Sequence, residues 1–157
     1  LGIFGQDLFA EKRSIPCPQD LRIAGIKIQF CARGEGPPVL FLHGLGGSWK
    51  DWAANFFPLS SAYQVTAIDF PGFGDSDKPE VEYSIDWLTE IVEKFLQERK
   101  VTRVNIVGHS MGGLVALNLA ARSNSPVKTL VVTDVVGVGR TPDGNRSKKR
   151  YGENSNP

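Results

Sequence analysis

From Pro38 onward the chain alternates short continuous apolar runs with longer stretches in which apolar residues return every three or four positions. The run VLFLHG (Val39 to Gly44) has no charged break before it ends at glycine, as expected for a strand buried on both faces, so it is placed at the centre of a sheet. A helix is predicted to follow from Ser48, an N-cap residue, with Trp49, Trp52, Ala53, Phe56 and Phe57 on one side and Pro58 as its end. VTAIDF (Val65 to Phe70) predicts the next strand, closed by PGFGDSDKP, whose Gly, Pro and Asp content specifies a loop. A second helix begins at Ser84. Its apolar positions Ile85, Leu88, Ile91, Val92, Phe95 and Leu96 fall at helical spacing, with Asp86 and Glu90 early and Arg99 and Lys100 late, as the helix dipole favours. RVNIVG (Arg103 to Gly108) is then a strand, Met111 to Arg122 a helix, and TLVVTDVVG (Thr129 to Gly137) a last strand. Upstream, Leu21 to Ala24 and Ile26 to Ala32 alternate around Gly25, which predicts an antiparallel hairpin at the edge of the same sheet.

Strand-helix-strand units of this length need crossover connections, so the fold class is α/β, a mainly parallel sheet flanked by helices. In such sheets chemistry gathers at the carboxyl ends of the strands. The three Gly-rich segments HGLGGS, PGFGDS and GHSMGG each follow a predicted strand, so they are expected to share that edge. Residues 1–139 are read as one domain and 140–157 as a polar, disordered tail.

Composition narrows the class without changing the picture. The chain has 157 residues, 41% of them hydrophobic and 22% charged, with a net charge of +1, which fits one soluble globular domain. No apolar run approaches the roughly 20 residues needed to span a bilayer, so no membrane span is expected. A soluble, intracellular protein is favoured, although the compartment stays open. Cys17 and Cys31 sit in neither a CxxC nor a Cys/His spacing, and both are read as reduced and structural, with no metal site. Arg140, Arg146, Lys148, Lys149 and Arg150 lie in a stretch with almost nothing apolar, so they are read as a solvated tail and not as a nucleic-acid patch.

The chemistry concentrates at Gly108-His109-Ser110-Met111-Gly112, a G-x-S-x-G between a predicted strand and a predicted helix. A chain that reverses so tightly holds its serine in a strained backbone conformation, and side chains two residues to either side would collide. Gly108 and Gly112 remove those collisions. Ser110 is then left beside the first amides of a helix, which stabilise negative charge. A dinucleotide-binding turn would share this strand-turn-helix context and Asp134 after the next strand, but it needs glycine where Ser110 stands. No Gly-Lys-Ser/Thr of a phosphate-binding loop occurs.

With its context, this motif resembles the nucleophile elbow of the α/β-hydrolase family, and the chain resembles the N-terminal portion of a serine member. The likeness extends over about Pro38 to Arg140 and corresponds to about six of the family's eight strands. It implies that Ser110 is the nucleophile. His43-Gly44-Leu45-Gly46-Gly47 resembles the family's loop after its third strand, which puts Leu45 beside Met111 as the two backbone donors of an oxyanion hole. Asp69-Phe70-Pro71-Gly72-Phe73-Gly74-Asp75-Ser76 resembles the loop after the fourth strand, with Asp69 bracing it. Asp134, at the end of the sixth strand, is the candidate acid in a longer parent. The family's histidine base follows its last strand, and neither His43 nor His109 is expected to replace it. The resemblance therefore implies a serine hydrolase for a small ester or similar carbonyl substrate, without metal or organic cofactor, truncated and weakly active or inactive as written. Its exposed sheet edge is expected to favour self-association. A noncatalytic ligand-binding or interaction protein of the same fold is the alternative.

Overall fold

Ala24 and Gly25 both take positive φ, 49° and 83°, the geometry of a type I′ turn whose twist matches the strands on either side. They join β1 (Gln19–Ile23) to β2 (Ile26–Arg33) in an antiparallel pair with Gln19 opposite Phe30. The computed structural model describes residues 17–135. The expected tail over 140–157 lies outside them.

Four further strands complete the sheet: β3 (Pro38–Leu42), β4 (Gln64–Ile68), β5 (Val104–His109) and β6 (Val127–Thr133). Their order is β1-β2-β4-β3-β5-β6. β2 runs antiparallel to β4, whereas β3 is parallel to β4 and β5, and β5 to β6. The chain thus folds as the expected mainly parallel α/β sheet with an antiparallel hairpin at one edge.

The continuous apolar runs are explained by burial on both faces. One face carries Ile28, Phe30, Leu40, Leu42, Ile68 and Ile106, covered by α2 (Ile85–Glu98) and α3 (Met111–Ala120). The opposite face carries Cys31, Val39, Phe41, Val65 and Ala67 under Trp49, Trp52 and Phe56. α2 begins where Ser84 caps the Trp87 N–H at 3.1 Å, and it is tied to α3 by Asn118 to Asp86 and by an Arg122–Glu93 ion pair.

Two expectations need correction. The helix after β3 starts as a 3₁₀ turn (Trp49–Trp52) and becomes α1 (Ala53–Leu59), with Pro58 inside its last turn and not at its end. The N–H that proline lacks belongs to a helix only two turns long, where few intrahelical partners are lost. Cys17 and Cys31, read as reduced, are joined by a disulfide. The hairpin register explains the pairing: with Gln19 opposite Phe30, one further step along the ladder sets Pro18 opposite Cys31, so the adjacent Cys17 lies within reach of it at a Cα separation of 5.0 Å. Spacing alone hid this, because the two cysteines, 14 positions apart, are separated by a strand pair and not by a loop.

Phe95, 1% exposed, meets Phe30 edge-on with ring centroids 5.3 Å apart and so joins α2 to the sheet. Phe95→Ala is expected to cost about 3–5 kcal/mol, read as a lower urea midpoint at unchanged slope. A loss below about 1 kcal/mol would show that α2 does not rely on this contact.

Candidate active site

Because β3, β4 and β5 are parallel neighbours, the loops that follow them emerge at one edge of the sheet. Ser110 lies there between β5 and α3 with φ 49° and ψ −116°, a conformation an L-residue adopts only under constraint. The constraint is visible at the flanking glycines. A Cβ on Gly108 would stand 2.6 Å from the Gly112 carbonyl oxygen, and one on Gly112 would stand 2.5 Å from that of His43. The turn is pinned on its other side by the Ser110 N–H, which donates to Thr133 O at 2.9 Å. Ser110 occupies the N-cap position of α3, yet its hydroxyl caps no N–H of that helix. The hydroxyl that usually serves a helix end is left available.

The loop after β3 folds as a tight turn in which the Gly47 N–H donates to Gly44 O at 3.1 Å, with Gly46 at φ 75°. Glycine meets the positive φ that such a turn needs at its third residue. Leu45, at the tip, is 76% exposed. The turn lies close to the elbow: a Cβ on Gly44 would be 3.3 Å from the Ser110 Cβ and 2.7 Å from His109 Nδ1. Met111 supplies the first amide of α3, which has no intrahelical acceptor by its position.

Two buried polar side chains hold this arrangement. His43, 1% exposed, donates from Nδ1 to Gly44 O at 2.7 Å and accepts at Nε2 from the Phe70 N–H at 3.0 Å. Both ring nitrogens are thus occupied in a neutral tautomer, and the ring stands edge-on to Phe70 and Phe73. Burial pushes the His43 pKa below the usual histidine value, against the opposing pull of the Gly44 carbonyl and of Asp69 and Asp51. Asp69, also 1% exposed, accepts from the Trp49 N–H at 2.6 Å and from the Asp75 N–H at 2.9 Å. One carboxylate therefore ties the loop after β3 to the loop after β4. Gly74, at φ 51°, lies so close to this carboxylate that any side chain there would collide with it.

Asp134 follows β6 with φ 51°, and its Oδ2 lies 3.5 Å from His109 Nε2. Sequence reasoning did not anticipate this pair. The signal was present in the alternation of β5 and β6, whose parallel register sets His109 beside Thr133 and hence next to Asp134. Among the described residues no group of three His, Cys, Asp or Glu is arranged to hold a metal ion, and no helix is long and apolar enough to cross a membrane.

Residues 37–152 match the family model described as alpha/beta hydrolase fold. The chain is 36% identical over 118 residues to the dihydrolipoyllysine-residue acetyltransferase component of the acetoin cleaving system of Cupriavidus necator, covering 74% of this chain and 32% of that protein. It is 39% identical over 99 residues to the pimeloyl-[acyl-carrier protein] methyl ester esterase of Aeromonas hydrophila subsp. hydrophila, covering 62% of this chain and 37% of the esterase. Among solved structures, epoxide hydrolase VrEH1 from Vigna radiata superposes with a TM-score of 0.73 at 32% identity, over 80% of this chain and 42% of that one. The chain thus spans about a third of the length of these two curated relatives.

The burial of His43 fixes the sign of a pH effect. Its folded-state pKa lies below the unfolded value of 6.5, so the unfolded chain takes up the proton first as pH falls. The stabilisation is complete above about pH 6.5 and declines as pH drops toward the depressed folded-state value. Chemical unfolding between pH 7.5 and 5 should show this decline in the wild type and a flatter profile in His43→Asn. Equal slopes in the two would mean that His43 is not held neutral.

Proposed function

The chain belongs to the α/β-hydrolase fold family, and on that premise we propose that it carries the nucleophile and oxyanion hole of a serine hydrolase acting on a small ester or similar carbonyl substrate. The observation that carries this reading is the backbone of Ser110: a strained φ of 49° at the carboxyl edge of the sheet, with the hydroxyl capping nothing. A fold maintains such strain where a side chain must be presented. Attack by Ser110 Oγ places negative charge on the former carbonyl oxygen, and the N–H groups of Leu45 and Met111 are assigned to receive it. The hydroxyl proton passes to a base, the tetrahedral adduct expels the alcohol, and water releases the acyl group by the same route.

A serine at the elbow favours this chemistry over that of relatives which place a carboxylate there. The similarity to the Aeromonas methyl ester esterase agrees with ester cleavage, whereas VrEH1 is an epoxide hydrolase and acts on a different electrophile. Neither histidine is assigned as the base. His43 has both nitrogens engaged, and His109 has Nε2 3.5 Å from Asp134 Oδ2, with its ring packed beside Gly44. The acid role considered for Asp134 would require a different histidine partner, since its carboxylate faces His109. Turnover by these 157 residues alone is therefore expected to be slow.

Two measurements follow. The purified chain should hydrolyse a p-nitrophenyl ester at least about 10²-fold more slowly than a complete serine member of the fold, and what remains should vanish in Ser110→Ala. Rapid Ser110-dependent turnover with stoichiometric fluorophosphonate labelling would mean that His43, His109 or a second chain acts as base. Residual hydrolysis unchanged in Ser110→Ala would remove Ser110 as nucleophile. The outer edge of β6 is unpaired among the described residues and leaves Val131 49% exposed, so we also propose pairing of this edge with a second copy. Light scattering should show concentration-dependent association that Val131→Lys weakens. A monomer at all concentrations would refute the pairing.

A further inference from the structure

We propose that His109 is a positioning residue, fixed by Asp134 at one nitrogen and seated against Gly44 by the other, which sets the loop after β3 in place beside Ser110. The inference rests on the Ser110 reading for its purpose, but its geometry stands on separate contacts. His109 ends β5 one residue before Ser110 and is half-exposed. Its Nε2 lies 3.5 Å from Asp134 Oδ2, and its Nδ1 stands where a Cβ on Gly44 would come within 2.7 Å. One flat ring therefore fills the space between the end of β6 and the turn that carries Leu45. A residue with a side chain at position 44 would displace the ring, which explains glycine there independently of backbone conformation.

An ion pair this exposed is ordinarily weak, because holding two free side chains together costs entropy. Here that cost is already met by the sheet. β5 and β6 pair in parallel with His109 opposite Thr133, and the Ser110 N–H donates to Thr133 O at 2.9 Å, so Asp134 and His109 start as neighbours on a fixed ladder. Asp134 at φ 51° adopts a conformation that Asp and Asn tolerate better than other side chains. Among the described residues the remaining neighbours give His109 no second charged partner. α3 opens with Met111, Gly112 and Gly113, β6 presents Thr133, and His43 turns its own ring nitrogens to Gly44 O and the Phe70 N–H.

The proposal predicts that the placement of the His109 ring is felt at Leu45. The chain has two histidines, so NMR spectra of the full chain resolve their ring resonances directly. Asp134→Asn, which keeps shape and backbone preference but removes the charge, should shift the ring resonances of His109 and leave those of His43 in place. His109→Ala should shift the Leu45 and Gly46 amide resonances. Unchanged His109 resonances in Asp134→Asn would overturn the pair, and amides insensitive to His109→Ala would overturn the brace. If spectra are too broad, carbethoxylation of His109 followed by peptide mass spectrometry reads the same pair: faster modification in Asp134→Asn at pH 6 supports it, and an unchanged rate refutes it. Fluorophosphonate labelling of Ser110 reports separately on the nucleophile. Failed labelling with the coupling intact would sink the Ser110 reading and leave the brace standing.

Discussion

The close approach of two backbones at the elbow is the constraint on which the rest depends. Gly112 at the start of α3 rests on the carbonyls of Leu42 and His43 at the end of β3, while Gly108 rests on the carbonyl of Gly112. No side chain fits at either contact, so the helix can descend onto the central strand only because both positions are bare. That descent forces Ser110 into its positive φ and brings the turn of Gly44–Gly47 alongside it. The exposure of Ser110 and the placement of the loop are therefore consequences of one packing event.

The surrounding loops would be free to drift without polar anchors in the dry interior beneath them. His43 and Asp69 serve that purpose, each nearly inaccessible to water and each satisfied by backbone partners from a different segment. Satisfied buried groups of this kind fix geometry strongly, since breaking one bond strands a desolvated partner. Asp69 links the loop after β3 to that after β4, and His43 links β3's end to Phe70. The edge of the sheet is thus a connected polar frame around the elbow.

Much of this was legible in the chain. The two-sided apolar runs gave β3, β4 and β5, and the helical spacing from Ile85 to Leu96 gave α2 with its Ser84 cap, because periodicity reports burial directly. The elbow was legible because its glycines are required by contact and its context by topology. What stayed hidden depended on register or on tertiary satisfaction. The Cys17–Cys31 link needs the hairpin register, and the His109–Asp134 pair needs the parallel register of β5 and β6. Pro58 inside α1 was missed because a proline reads as a stop, although a helix this short tolerates one near its end.

The central claim, that packing holds Ser110 in a strained conformation, is tested by the relative stability of two variants. At an ordinary N-cap, replacing serine by glycine costs a few tenths of a kcal/mol and replacing it by alanine costs about 1 kcal/mol, because the cap is lost. At φ 49° and ψ −116°, with no cap bond to lose, Ser110→Gly should instead stabilise the fold. Ser110→Gly should exceed both the wild type and Ser110→Ala in stability by about 1 kcal/mol, because glycine relieves strain of about 1–3 kcal/mol that the other two retain. Urea unfolding of the wild type and the two variants measures the differences. Ser110→Gly emerging as less stable than the wild type would contradict the account, for it would mean that the elbow is not strained.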